Sequence, residues 1–394
     1  MRLLIVGGRL QGTEAAYLAA KAGIETVLVD RCPTPPAAGL VDRFVAADIT
    51  ADEARSRALA RGCDAILPAC ENLATLEWLS RRATAWDVPL LFDLPAYRVT
   101  ASKSASWRLF DALGVDHPAG WPDCAYPVVV KPDAASGSEG VVLAKDAEAV
   151  LSAQQHLRAT GHDAVVEAFV GGVPLSLEVL ASDGVAMSLQ ATELEFDGQY
   201  DCKRVVAPIA AALPETVMAE LLRLGERLAL GLGLRGIMDL EVQANGHELT
   251  VLEIDARLPS QTPTAVYWSS GINVVSELLR AARGARPVVV DRTPRCACIY
   301  QHVRVEGGKL EVVGEHALAV ARPLTSVPCF YGADEALTDC AAGRESWVAT
   351  LIATGPSVVQ ARNRAQATVE AIAADHHLTV MPESMPPVSL IERL

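Results

Sequence analysis

In "TVLEIDARLPSQT", residues 250–262, Glu253, Asp255 and Arg257 alternate along an otherwise apolar stretch. A strand turns every second side chain to the same face, so all three share one side. Upstream, "GIMDLEV" (236–242) repeats the pattern with Asp239 and Glu241. Between the two stretches lies "ANGH", and Asn-Gly is a strong hairpin signal. Residues 237–243 are therefore expected to pair antiparallel with 249–257, which sets four carboxylates on one face. A solvated face is one reading of this pattern. The apolar residues in between favour another, because buried carboxylates without a counter-charge are costly. A hard divalent cation such as Mg2+, keeping some of its own waters, suits oxygen ligands of this kind. Arg257 then lies beyond the metal, placed to hold an anion.

Mg2+ held by carboxylates is usually shared with substrate phosphates, so a phosphate grip is expected elsewhere. Lysine is scarce in this chain, which makes each one informative. Lys131 ends the apolar run "VVVK" and leads into the small-residue loop "ASGSEGV", 135–141. Backbone N–H groups in such a loop can cradle phosphate oxygens. The loop lacks the G-x-x-x-x-G-K-[ST] pattern of a P-loop. Lys103 stands at the start of an expected helix over 101–115, where the macrodipole disfavours a cation unless an anion is near. Glu167 ends "DAVVE", at a position where a hinge between lobes could grip a nucleotide base.

The elements that must carry these residues fall into three groups. "RLLIVGG", "ETVLVD", "DAILPA" and "PLLFD" read as strands, with a helix in "GTEAAYLAAKAG" after the first. Alternation of this kind predicts a doubly wound parallel sheet over residues 1–95. Residues 96–185 read as a small α+β lobe with the glycine-rich loop. Its strands include "AVVEAFV" and "LSLEVLA", joined by "GGVP". Residues 186–394 read as a larger lobe, with strand "MSLQATELEF", a helix over 214–232, the carboxylate hairpin, a helix over 273–284 and a C-terminal extension. The Pro-rich tail "MPESMPPVSL" is expected to run over the surface. "VGGRLQG" together with Asp30 after the second strand also suggests a dinucleotide site, but the G-x-G-x-x-G fingerprint is absent.

The 394 residues are 51% hydrophobic and carry a net charge of −14. The acidic balance and the lack of a basic run argue against a nucleic-acid partner. No apolar stretch reaches membrane-spanning length, and the N-terminus enters a strand with no signal-peptide pattern. The nine cysteines are scattered, as expected for thiols in a reducing cytoplasm. Homo-oligomerisation is left open.

Taken in order, these pieces resemble the ATP-grasp superfamily: a Rossmann-like pre-ATP-grasp lobe, two lysines, a glycine-rich lid, a hinge glutamate and paired metal strands. The resemblance implies a two-lobed α+β ATP-grasp fold that uses ATP and Mg2+. It assigns Asp239, Glu253 and Asp255 to the metal, and Lys103 and Lys131 to phosphate. Residues 136–141, with Ser136, Gly137, Ser138 and Gly140, become the lid. Glu167, Ala168, Phe169 and Val170 become the adenine hinge, and Arg257 steadies an acyl-phosphate. Val173 and Pro174 stand where an acid often holds the ribose. A narrower resemblance rests on "GGRLQGTEAAYLAAKAG", "ENLATLEWL", "PLLFDLPAYRV", "SLEVL", "YDCKRV" and "EIDARLPSQTPTAVYWSSGINV". These are similar to the 3-methylornithine–L-lysine ligases of pyrrolysine biosynthesis. That family implies an ATP-dependent ligase that joins 3-methyl-D-ornithine to the ε-amine of L-lysine through an acyl-phosphate. By the same resemblance Arg9, which replaces an expected lysine, and Asp30 face the cofactor. Leu10, Gln11, Glu71, Ser176, Glu178, Tyr200, Asp201, Ser260, Gln261 and Thr262 face the amino acids, while Arg257 and Lys131 carry the chemistry. The rival expectations are another ATP-grasp ligase or carboxylase, an NAD-dependent oxidoreductase, and a non-catalytic nucleotide-binding regulator.

Overall fold

The computed structural model describes residues 1–134, 140–285 and 292–386. Its first sheet is parallel, in the order β3-β2-β1-β4, from β1 (Arg2–Val6), β2 (Glu25–Asp30), β3 (Arg43–Ala46) and β4 (Ala65–Pro68). The turn after β1 needs glycine. Gly7 has φ +105°, and a Cβ there would lie 2.4 Å from the Ala69 carbonyl oxygen. The expected strand 89–93 does not form, and only Leu90 bridges to Ile66. Pro89 lacks an N–H for a ladder, and the Asp93 carboxylate instead accepts from the Ala96 N–H to cap the helix Leu94–Thr100.

The next helix, Lys103–Leu113, is capped by the Ser102 hydroxyl and ends at Gly114 with φ +60°. It precedes a three-stranded antiparallel sheet, β6-β5-β7, from β5 (Val128–Pro132), β6 (Val142–Ala144) and β7 (Ala164–Ala168). The helix Ala147–Ala159 packs its Val150, Ala153 and Leu157 against this sheet.

A large, mostly antiparallel sheet holds the rest. It begins with β8 (Val173–Ser182), β9 (Val185–Ser188), β10 (Thr192–Phe196), β11 (Cys202–Ala207), β12 (Gly236–Asn245) and β13 (Glu248–Asp255). It continues with β14 (Ala297–Glu306), β15 (Lys309–Val312), β16 (Thr325–Pro328), β17 (Glu335–Thr338), β18 (Trp347–Gly355) and β19 (Thr379–Val380). The main path runs β13-β12-β8-β10-β11-β14-β18-β17-β16. Here the structure corrects the sequence reading. "LSLEVLA" lies in β8 and belongs to the large sheet, separate from "AVVEAFV" in the small one. β8 is buried along nearly its whole length and pairs with β12 from Gly236↔Ala181 to Ala244↔Val173. Such a strand satisfies its backbone only in a sheet interior. "MSLQATELEF" divides into β9 and β10, which take successive stretches of one β8 edge at Val179–Ser182 and Leu175–Ser176.

The described part of the tail runs over the surface as expected, and it makes specific contacts there. Lys203, only 1% exposed, donates to the Ser384 carbonyl at 2.8 Å and pairs with Glu383 at 2.9 Å. Arg204 pairs with Glu383 at 2.7 Å. Two cations buried on β11 require counter-charge, and the C-terminal segment supplies it. Among the described residues no helix is long and apolar enough to cross a membrane.

Candidate active site

The hairpin forms with the expected register, Asp239 opposite Asp255 and Glu241 opposite Glu253, with a bulge after Glu241. On its other side Asp239 sits across from Glu178 of β8. Two cations meet the hairpin. Lys103 Nζ lies 2.9 Å from Glu253 Oε1, and Arg257 Nη2 lies 2.8 Å from Asp255 Oδ2. Arg257 Nε is 2.9 Å from Glu71 Oε1, and Gln11 Nε2 donates to that same oxygen at 2.7 Å. The first lobe thus reaches the hairpin through Gln11, Glu71 and Arg257. In the small sheet Lys131 Nζ pairs with Glu167 Oε1 at 2.6 Å.

Burial dominates the electrostatics. It pushes the carboxyls of Glu241 and Asp255 up to about 7, the latter restrained by Arg257. It also pushes Asp239 well above the usual carboxylate range. Glu167 is raised by burial against the pull of Lys131. Burial works against the Lys103 ammonium, yet Glu253 holds its pKa above the ordinary value. These carboxylates lose solvation without gaining enough positive charge.

Among the described residues no three acidic, histidine or cysteine side chains already close around one point, because Glu253 and Asp255 turn onto Lys103 and Arg257. The donor chemistry nonetheless fits a hard divalent cation. Four carboxylates share the face, and the buried Asp239 Oδ1 has no hydrogen-bond partner.

A cavity of about 240 Å³ opens over this face. Of the expected cofactor and metal contacts, Lys103, Lys131, Glu167, Ala168, Phe169, Val170, Asp239, Glu253 and Arg257 line it. Of the expected amino-acid contacts, Ser176, Tyr200, Asp201, Ser260, Gln261 and Thr262 do so. Asp255 lies behind Arg257. Gly140, with φ +71°, packs on Pro132 beside the cavity, and its neighbour Val141 lines the wall. Ser136, Gly137 and Ser138 lie outside the described residues. Arg9 and Leu10 begin the helix Leu10–Lys21 and are not in the cavity wall. Asp30 accepts from the Gly8 N–H at 2.6 Å and the Cys32 N–H at 2.7 Å. It lines a separate small cleft with Gly7 and Asp48, so its carboxylate is spent on backbone N–H groups away from the cavity where the other expected cofactor contacts gather. Glu178 is fully buried behind the wall, its carboxyl raised to about 7 by burial.

The sequence reading missed Gln243 and Glu315, and both line the cavity. Gln243 continues the alternation of Asp239 and Glu241, so the period-two pattern could have found it. Glu315 follows β15 and carries no local signal.

One buried acid outside the wall yields a stability test. Glu14, 1% exposed, accepts from the Thr264 N–H at 2.5 Å. Burial raises its carboxyl from the ordinary 4.5 to about 8. A folded-state value above the unfolded one means the folded chain keeps its proton longer. This contribution is complete below about pH 4.5 and is lost as pH rises towards about 8. Glu14→Gln is expected to recover roughly 2–4 kcal/mol at the alkaline end of that window and nothing at the acid end. Melting temperatures of both proteins across the window check this, and parallel pH profiles would refute it.

Comparison with known proteins follows the same lines. The ATP-grasp domain family matches residues 100–261. The 3-methyl-D-ornithine–L-lysine ligase of Methanosarcina barkeri is 37% identical, covering 81% of this chain and 84% of the relative. That of Methanosarcina mazei is 35% identical, covering 81% and 82%. In structure, the chain is similar to the biotin carboxylase domain of the Hydrogenobacter thermophilus 2-oxoglutarate carboxylase, solved with MgADP and bicarbonate. The TM-score is 0.73 at 17% identity, with 94% of this chain and 89% of that one covered.

Proposed function

This chain belongs to the ATP-grasp ligases, in the family of the 3-methyl-D-ornithine–L-lysine ligases, and we propose that it uses ATP to join 3-methyl-D-ornithine to the ε-amine of L-lysine, as a cytoplasmic step of pyrrolysine biosynthesis. One observation carries the reading: a single cavity joins Lys103, Lys131 and Arg257 to a wall of Tyr200, Asp201, Ser260, Gln261 and Thr262. Phosphate chemistry and recognition of a small polar, cationic acid therefore share one chamber. All nine cysteines are free, in keeping with a reducing compartment.

A carboxylate cannot expel oxide, so it must first be activated. One carboxylate oxygen of 3-methyl-D-ornithine attacks the γ-phosphorus of ATP. The bond to the bridging oxygen breaks, and ADP leaves with the electron pair. Lys131 and Lys103 orient the triphosphate, and Ala168, Phe169 and Val170 form the wall for the base. Asp239, Glu253 and Asp255, with Glu241 beside them, are the residues that would hold Mg2+, which supplies charge neutralisation on the phosphates. The neutral ε-amine of lysine then attacks the acyl carbon. Arg257 stabilises the oxyanion that develops, inorganic phosphate departs, and the amine proton is lost to phosphate or solvent.

An NAD-dependent activity has less support, since Asp30 is committed to backbone N–H groups. A carboxylase reading rests on likeness of fold alone.

The purified protein with ATP, Mg2+, 3-methyl-D-ornithine and L-lysine is expected to release ADP, phosphate and the amide in equal amounts. With ¹⁸O in the 3-methyl-D-ornithine carboxylate, one ¹⁸O atom should appear in each phosphate released. Amide formed without that transfer excludes the acyl-phosphate route, and no amide from these substrates excludes the substrate assignment.

A further inference from the structure

Most acids in the cavity wall already have a partner or a task. Glu253 meets Lys103, Glu167 meets Lys131, and Asp201 meets His316 Nδ1 at 2.9 Å. Asp239 and Glu241 belong to the metal hairpin. Glu315 differs. Among the described residues no lysine, arginine or histidine forms an ion pair with it, yet it is held by a framework of hydrogen bonds. Its N–H donates to the Cys202 carbonyl at 3.0 Å. The Ser260 hydroxyl donates to Oε2 at 2.7 Å, and the Gln261 side chain is a second hydrogen-bond partner.

Gln261 is itself fixed from behind. Its Oε1 lies 3.0 Å from His302 Nε2, and His302 Nδ1 lies 2.9 Å from Thr350 Oγ1. His302 is 2% exposed and stands outside the cavity wall. Burial lowers its pKa to about 4, so the ring is neutral and carries one N–H. An amide oxygen only accepts, so that N–H is on Nε2, and Nδ1 accepts from the Thr350 hydroxyl. The amide NH₂ of Gln261 is left facing Glu315. The donor direction runs from Thr350 through His302 and Gln261 to the Glu315 carboxylate. The two side chains that hydrogen-bond this carboxylate donate to it without bringing a positive charge, and the neighbouring His316 ring, which acts on it only through space, is itself turned onto Asp201. The geometry is tight nearby as well: a Cβ on Gly314 would fall 2.0 Å from the Asp201 carboxyl carbon. Gly314 thereby lets the two acidic segments pack together.

We propose that Glu315 binds an ammonium group of one of the two amino-acid substrates, and that His302 is a positioning residue that holds Gln261, and through it Glu315, in the orientation this requires. The assignment rests on the substrate reading above. Burial raises the Glu315 carboxyl while Ser260 and Gln261 pull it back. An arriving ammonium completes what these two neutral donors begin.

Glu315→Gln is nearly isosteric and keeps the Ser260 contact. It is expected to raise the KM of one amino acid by about tenfold or more, with the KM of ATP unchanged within about twofold. Three analogues identify the ammonium concerned. 5-Aminopentanoate lacks the α-amine of ornithine, D-norvaline lacks its δ-amine, and 6-aminohexanoate lacks the α-amine of lysine. Each should bind the wild type more weakly than its parent, and the penalty for one of them should largely vanish in Glu315→Gln. Glu315→Asp keeps the charge and is expected to fall between the two. His302→Leu should raise the same KM, and His302→Gln, which restores an N–H donor, should bring it back towards wild type. If the wild type forms the amide but all analogue penalties persist in Glu315→Gln, the ammonium assignment is overturned. If His302→Leu leaves that KM unchanged, the positioning role is overturned. A wild type that forms no amide from lysine overturns the substrate reading, and this assignment with it.

Discussion

Arg257→Lys is expected to slow amide formation by about 10²–10³-fold and to lower the melting temperature by several degrees. The side chain of Arg257 is 12% exposed and spans two acids, with Nη2 on Asp255 and Nε beside Glu71. Its guanidinium stays charged at any working pH because Asp255, Glu71, Asp239 and Glu253 surround it. A lysine offers one compact ammonium in place of a planar fork and cannot serve both acids. If the ammonium turns to the exposed Glu71, Asp255 is left buried without its counter-charge, at a cost of about 3–5 kcal/mol. Loss of one oxyanion donor at a preorganised site accounts for the expected fall in rate. Thermal melts report the first effect, and single-turnover amide formation at saturating ATP reports the second. A variant that melts lower but retains the wild-type rate would make Arg257 a structural residue only.

Lys131→Met is expected to abolish nucleotide binding and to destabilise the small lobe, again by about 3–5 kcal/mol. The pair with Glu167 is the most enclosed at the site, with side chains 9% and 4% exposed. Removing the ammonium strands the Glu167 carboxylate, which burial already raises. Its folded-state pKa then rises further above the unfolded value, so the destabilisation grows as pH increases and fades in acid, where Glu167 takes up a proton. The double variant Lys131→Met, Glu167→Met replaces the pair by apolar side chains of similar length. It is expected to regain most of the lost stability while binding no ATP analogue. Urea denaturation and titration with a non-hydrolysable ATP analogue separate the outcomes. A double variant as unstable as the single one would show that the pair is not the source of the loss. Tight nucleotide binding by either variant would remove Lys131 from the phosphate grip.

The carboxylate hairpin was legible in the sequence because its signals are local. Period-two alternation puts Asp239, Glu241, Glu253 and Asp255 on one face, and the Asn-Gly turn sets which residues oppose one another. The parallel first sheet was legible for the same reason, through strand and helix patterns between glycine breaks. Lys103 and Lys131 were conspicuous because each sits where a cation is locally unfavourable, and the folded chain gives each a carboxylate, Glu253 and Glu167. What only the tertiary structure decided depends on partners distant in sequence. β8 reads as a strand in isolation, but its place beside β12 follows from burial on both faces, which no local pattern encodes. Asp30 was expected to face the cofactor, but the turns after β1 and β2 use both its oxygens. Glu178 has the alternation of a substrate contact, yet β12 and the residues beyond β13 close over it. Glu315 and His302 lie far along the chain from the loop they frame, and neither is unusual among its neighbours in sequence. Chain pattern specifies which face a residue takes within its own element. Long-range packing specifies what that face meets, because the energy of a buried charge depends on partners that only the assembled fold brings within hydrogen-bonding distance.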